Sequence, residues 1–196
     1  SLSIRTATLI HASHCEVDPR DAALRDVSLY NTDLRDAALL EATLRYANLR
    51  YAILRYANLS NVNLSGANLR NANLSNAYLS NAYLRFVYLS NADLSSAVLS
   101  SADLRLVDLS SADLSSAILL ATDLRGTQRL TLEQLNGETP PLLCHSPLSA
   151  SLATVVSLDK DCEALPPILQ ERYPHWFETL AEAKAYVEEA RQKVWE

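Results

Sequence analysis

A chain of 196 residues is one domain, or one domain with a small appendage. Its net charge of −6 is uneven: residues 1–126 hold 11 Arg against 12 acidic groups, residues 127–196 hold 6 basic against 11. Neither part is basic enough to mark a nucleic-acid binder, and no run of eighteen apolar residues marks a transmembrane helix.

The chain starts at Ser1 and contains no Met, which suits a trimmed chain or a cleaved targeting segment. Residues 1–20 keep a five-residue phase imperfectly, with Leu2, Ile4, Ala7, Leu9 and Ala12 in place but His14 and Pro19 where leucines belong. This stretch reads as an irregular first coil or cap with a bulge at 14–20, because Pro sits at edges and bulges. His11, His14 and Cys15 lack a matching fourth ligand, so no metal site is assigned to them.

From Ala22 to Leu124 leucine returns at every fifth residue, with Ala, Val or Thr two places before each. On an α-helix successive leucines would lie about 140° apart and cover every side. In a straight strand they would alternate between faces. A five-residue period buries them together only if the chain turns a corner in every repeat, giving a coil with Leu24, Leu44, Leu64, Leu84, Leu104 and Leu124 in its core. The residue after each leucine is most uniform at a spacing of twenty, reading Arg25, Arg45, Ser65, Arg85, Arg105, Arg125, which favours four repeats per coil. About six coils would make a rod roughly 30 Å long.

Outward positions change along this rod. Tyr46, Tyr51 and Tyr56 each follow an arginine, and Tyr78, Tyr83 and Tyr88 form a second aromatic belt. Asn61, Asn71, Asn76, Asn81 and Asn91 recur at the turn position, where Asn tolerates tight turns. The column Ala38, Asn58, Tyr78, Val98, Ile118 becomes an apolar strip toward the C-terminal end, and the chain's own tail is its nearest candidate cover.

Ala47-Asn48-Leu49-Arg50-Tyr51, Ala67-Asn68-Leu69-Arg70-Asn71 and Ala92-Asp93-Leu94-Ser95-Ser96 carry an A(D/N)LXX motif. In this the sequence resembles the pentapeptide-repeat proteins over about residues 20–126. The resemblance implies a mainly β fold, a right-handed quadrilateral β-helix with Leu at the centre and function on the outer faces. It also implies a bacterial source, cyanobacterial in particular. Relatives of that family include regulators in cyanobacteria and DNA mimics that protect gyrase.

The phase breaks at Gly126, so residues 1–126 read as the β-helix and 127–196 as a C-terminal cap, connector and helix. Thr131–Leu135 reads as a short helix over the last coil, stopped by Gly137 and Pro140-Pro141. Residues 142–167 have no period and read as an extended connector between two proline pairs. Thr179-Leu180-Ala181-Glu182 is a capping box that opens a helix to about Val194, with Leu180, Ala183, Val187, Ala190 and Val194 on one stripe. That stripe suits packing on the rod or a homodimer contact. Cys144 and Cys162 can pair as a disulfide in an oxidising compartment, or stand as free thiols.

No nucleophile and base recur together and no glycine-rich phosphate loop exists, so neither an enzyme nor a cofactor is expected. The expected role is a non-catalytic interaction or scaffold protein meeting a protein partner. Candidate contacts are Arg25, Arg45, Arg85, Arg105 and Arg125 with Tyr46, Tyr51, Tyr56, Tyr78, Tyr83 and Tyr88, since Arg and Tyr dominate interface hot spots. The alternative is a DNA-mimic protector of gyrase-type topoisomerase, which the arginines would spoil. The compartment is open: cytoplasmic, or periplasmic or thylakoid-lumenal if a targeting segment is removed.

Overall fold

The structure is a computed structural model that describes residues 24–157 and 159–194. The irregular first coil read over 1–20, with His11, His14 and Cys15, lies outside the described residues.

One repeat shows how the sequence makes the coil. In Ala67-Asn68-Leu69-Arg70-Asn71 all five backbone N–H groups are satisfied. Ala67 N donates across its own corner to Leu64 O (2.8 Å), and Asn68 N donates back to Ala47 O of the preceding coil (2.9 Å). Leu69 N and Asn71 N donate forward to Tyr88 O (2.9 Å) and Ser90 O (3.1 Å) of the next coil. The fifth, Arg70 N, has no main-chain partner and donates to Asn68 Oδ1 (3.3 Å). Where Asn or Asp precedes the leucine, its side chain can therefore complete the backbone of its own repeat. The same bond recurs from Asp93, Asp103, Asp113 and Asp123.

Parallel bridges join residues twenty apart, such as Ser28 to Asn48 and Asn48 to Asn68. Four corners and four faces therefore make one coil. The first face carries Ser28, Asn48, Asn68, Tyr88, Asp108 and Gln128, and the third carries Ala38, Asn58, Tyr78, Val98 and Ile118. The ladder runs to Gln128, two residues past the Gly126 boundary. Leu44, Leu64, Leu84, Leu104 and Leu124 are each at most 1% exposed, while Leu24, with a described coil on only one side, is partly buried. Each full burial stabilises by about 1.5–3 kcal/mol before entropy is counted.

Every corner uses a left-handed residue: each fifth residue from Asp26 to Gly126 has positive φ. Asn and Gly suit this conformation, but Tyr46, Tyr51, Tyr56, Phe86 and Leu106 also hold it, at φ 57 to 62. The repeating ladder over-determines the corner and outweighs a local cost of about 1–2 kcal/mol. The rod's two glycines, Gly66 (φ +72) and Gly126 (φ +70), stand in one corner column, each one coil after a large residue. A Cβ on Gly66 would lie 2.5 Å from the Tyr46 ring, and one on Gly126 3.0 Å from Leu106 Cδ2. Gly66→Ala is thus expected to cost about 1–3 kcal/mol, from backbone strain plus a displaced ring. Adding Tyr46→Ala should recover the ring's share in urea melts; equal losses in both backgrounds would mean the ring contributes nothing.

The C-terminal segment closes the last coil. Helix α1 (Leu132–Asn136) begins at Thr131, whose hydroxyl and Gln134 form a capping box. It buries Leu135, and Gln134 Nε2 donates to Leu109 O and Ala112 O, both at 2.9 Å. The residues read as an extended connector are instead folded. Strand β2 (Leu142–Cys144) pairs in parallel with β1 (Ile118–Leu120), extending the third-face ladder by one rung. Ser146 Oγ accepts from Thr122 N (3.1 Å) and donates to Leu119 O. Next come helix α2 (Ala150–Ala153) and then α3 (Leu165–Arg172), which Pro166 enters in the first turn, where the missing N–H is no loss. Helix α4 (Leu180–Arg191) opens on the Thr179–Glu182 capping box and ends three residues before the expected Val194.

Helices α3 and α4 lie on the third face. Leu165, Leu169, Phe177, Ala183 and Val187 bury against Val98, Ile118 and Leu120, which is the cover expected for the apolar strip. Arg172 Nη1 donates to Ser116 O at 2.8 Å. Cys144 and Cys162 are joined by a disulfide with Cα atoms 4.7 Å apart, tying β2 to the segment before α3.

Candidate protein-contact surface

The tail divides the rod's surface. On the third face Tyr78 is half-buried, its ring 5.1 Å from Trp176, which stacks on Tyr173 at 5.1 Å. Tyr78 is therefore taken up by the protein's own tail and leaves the set of candidate partner contacts. Ala183 and Val187 of α4 are likewise buried against the rod, so the core of the stripe considered for a dimer is already occupied.

The first face is opposite, and the face with its two corners carries most of the exposed rings among the described residues. Tyr46 (48%), Phe86 (55%) and Leu106 line the corner shared with the fourth face; Tyr30 and Tyr51 line the corner shared with the second; Tyr88 (44%) stands on the face itself. Arginines lie over these rings. Arg45 Cζ is 5.4 Å from the Tyr46 centroid, Arg85 5.4 Å from Phe86, Arg50 5.5 Å from Tyr51 and Arg70 4.3 Å from Tyr88. The Nε–H groups of Arg45, Arg50 and Arg85 are shielded from water with no hydrogen-bond partner among the described residues, so ring contact is what holds these planes. Tyr56 and Tyr83 are exposed but stand off this face, Tyr56 at the corner between the second and third, Tyr83 on the fourth.

Phe86 and Leu106 are absent from the sequence candidates. Reading the column Asp26, Tyr46, Gly66, Phe86, Leu106, Gly126 at a spacing of twenty would have found them. The belts read along consecutive repeats wrap the rod, whereas a column stays on one edge.

The arginine column divides into two kinds. Arg25 pairs with Asp26 at 3.2 Å in the open, and its guanidinium lies 5.5 Å from the Tyr46 centroid. Arg105 reaches Asp103 at 2.7 Å and Asp123 at 3.4 Å, and Arg125 reaches Asp123 at 2.8 Å. The last two thus hold the fourth face together. With Tyr83 and Lys193 they line a cleft of about 380 Å³. Lys193 Nζ donates to Ala121 O (3.3 Å) and Ser101 O (3.5 Å). Its burial lowers the ammonium pKa, opposed by the charges of Asp123 and Asp103.

Burial pushes the Asp103 carboxyl up, but the hydrogen bonds from the Arg105 side chain and N–H, with the charges of Arg105 and Arg85, hold it below its ordinary 3.8. A carboxylate depressed on folding stabilises above its unfolded pKa and loses that contribution as pH falls through the lower folded value. The rod should therefore lose stability as pH drops below about 4, and Asp103→Asn, which keeps an acceptor for Arg105 N, should flatten that slope. Thermal melts between pH 2 and 6 check it; identical slopes would remove Asp103 from the account.

A leucine-cored solenoid of twenty-residue coils, closed on one side by helices and bearing rings and guanidinium groups on the other, is a repeat protein in which each coil packs on its neighbours. The family model for pentapeptide repeats matches in 8 copies over 22–61, 42–81, 57–95 and 92–128, and the chain belongs to that family. No curated protein matches it. Among solved structures it is similar to HetL, a pentapeptide repeat protein involved in heterocyst differentiation regulation from the cyanobacterium Nostoc sp. PCC 7120, at 24% identity over 72% of this chain and 58% of that one, TM-score 0.44. It is similar to Rfr23 from the cyanobacterium Cyanothece 51142 at 37% identity over 41% of this chain and 58% of that one, TM-score 0.33. It is also similar to full-length QnrB1, a plasmid-mediated fluoroquinolone resistance protein, at 16% identity over 80% and 93%, TM-score 0.32. The chain thus spans 58% of the length of the first two. No helix among the described residues is long and apolar enough to cross a membrane.

Proposed function

We propose that this chain is a non-catalytic interaction or scaffold protein, regulatory through the partner it holds, which meets a protein on the first face of a right-handed quadrilateral β-helix. The observation that carries this is the asymmetry between faces. The apolar third face is covered by the tail, while opposite it Tyr46, Phe86, Tyr88 and Leu106 remain exposed beside Arg45, Arg70 and Arg85. Rings held flat by guanidinium groups lose little freedom on binding and bring large contact area. A disulfide favours an oxidising compartment, periplasm or thylakoid lumen, over a reducing cytoplasm.

The test is capture from an extract of the source organism by wild type and by Phe86→Ala/Tyr88→Ala. Both side chains are surface groups, so the melting temperature should move little. The expected result is a protein retained by wild type and lost at least tenfold by the variant; equal capture would remove this face. The runner-up, DNA mimicry, draws on the acidic groups Asp93 and Asp113 of the second face and Asp108 of the first. A phosphate-like surface needs a dense unbroken run of charge, and here the row is interrupted by Ile53 and Asn73 and faced by Arg35, Arg55 and Arg70. Protection of gyrase in a supercoiling assay would favour that reading instead.

A further inference from the structure

Metal-ligating side chains gather where the tail leaves β2. Asp161 N donates to Leu143 O at 2.8 Å, and Leu143 N donates to the Asp161 carboxylate at 2.9 Å. This clamp holds residues 159–162 against β2. One ligand atom from each of Cys144, Asp159 and Cys162 then lies within 4.8 Å of the others. His145, next to Cys144, has φ 50, and its ring reaches Asp159 of the same group. Its Nε2 is 2.8 Å from the Lys193 carbonyl and its Nδ1 3.3 Å from Asp159 Oδ1.

A carbonyl only accepts, so Nε2 carries a proton in that contact. Nδ1 is then the ring nitrogen that faces Asp159. Zinc in tetrahedral sites binds N at about 2.0 Å, O at about 2.1 Å and S at about 2.3 Å, which puts N and O about 3.3 Å apart and S and O about 3.6 Å apart. Here His145 Nδ1 and Cys162 Sγ stand 3.3 and 3.5 Å from Asp159 Oδ1. The sulfur–sulfur distance departs from such a site, because the two sulfurs are bonded to each other, and the His145 ring stands outside the three-residue group and must swing in to complete the set.

We propose that Cys144, Cys162, Asp159 and His145 form a site for a zinc-like divalent cation that exists when the Cys144–Cys162 disulfide is reduced. A dithiol reductant supplies two electrons and two protons. The S–S bond breaks, the reductant closes to its own disulfide, and Cys144 and Cys162 become thiols. The cation binds as both thiols release their protons to solvent. The Lys193 carbonyl holds the His145 ring with Nδ1 toward the cation, the outer-shell role that commonly fixes a histidine ligand. The disulfide and the metal-bound form are then alternative staples for the same joint, independent of what the first face binds.

The chain reduced with a phosphine under anaerobic conditions is titrated with Co2+ and then Zn2+. The expected result is one Co2+ per chain with the absorption of tetrahedral cobalt and a thiolate charge-transfer band, bleached by one equivalent of Zn2+, and neither signal from the oxidised chain. His145→Ala and Asp159→Asn should each weaken Co2+ binding at least tenfold. No stoichiometric uptake, octahedral cobalt alone, or affinity unchanged in both variants would overturn the proposal. Because reduction removes a tie that holds the tail, re-formation of the disulfide by oxidised glutathione is measured as well. Saturating Zn2+ should slow it at least tenfold, and an unchanged rate also overturns the proposal.

Discussion

Leu84→Ala is expected to lower the free energy of unfolding by about 2–5 kcal/mol. Leu84 is 1% exposed and sits mid-rod, with Leu64 one coil before it and Leu104 one coil after, both fully buried. Truncation removes the transfer energy of the lost atoms and leaves a cavity that the ladder resists closing. Asp103 O and Ser65 N, for example, keep their places through Leu84 N→Asp103 O (2.9 Å) and Ser65 N→Asn63 Oδ1 (3.1 Å). In a solenoid each coil contacts only its neighbours, so the loss should be confined to the coils around residue 84 and should not scale with rod length. Tyr83→Ala, one residue away and 56% exposed, should change stability by no more than about 0.5 kcal/mol. Urea midpoints of the two variants decide the matter. A Leu84→Ala loss below about 1 kcal/mol, or one equal to that of Tyr83→Ala, would mean the leucines do not carry the fold.

The rod was legible in the sequence because one physical demand, burying a leucine every five residues, has one solution. The spacing of twenty was legible in the Arg25 to Arg125 column for the same reason: residues on one edge share an environment. Less legible was which residues would take the left-handed corner. Propensity reserves that conformation for Gly and Asn, yet Tyr46, Phe86 and Leu106 hold it because the inter-coil hydrogen bonds leave no alternative. Residues 142–167 looked featureless because their order is borrowed: Leu142–Cys144 is a strand only by pairing with Ile118–Leu120. Pro166-Pro167 reads in the sequence as the far bound of a connector and is a helix start, a distinction that depends on which N–H groups need partners. The contact face was half legible. Most of its rings could be named, and the apolar column of Tyr78, Val98 and Ile118 already pointed to the tail as its cover, but Phe86 and Leu106 show only when the corner positions are read at a spacing of twenty.

Replacing Cys144 and Cys162 together with Ala is expected to lower the stability of the tail by about 3 kcal/mol, the chain-entropy value for a closed loop of this size, the two cysteines being 18 residues apart. The loss should fall on the tail, because the rod has its own ladder and its own leucine core, whereas α3 and α4 depend on contacts with Val98, Ile118 and Leu120 gathered around the bridge. Hydrogen exchange separates the two. The amides of α4 should exchange about a hundredfold faster, since every 1.4 kcal/mol is tenfold, while rod amides such as Leu64 N and Leu69 N keep their protection. With the tail loosened, the strip of Tyr78, Val98 and Ile118 would reach solvent more often and bind an apolar dye that the intact protein excludes. Uniform acceleration along the whole chain would make the rod and tail one cooperative unit. No acceleration anywhere would make the helix packing sufficient without the bridge, and either result would contradict a tail held on a separately stable rod by its covalent tie.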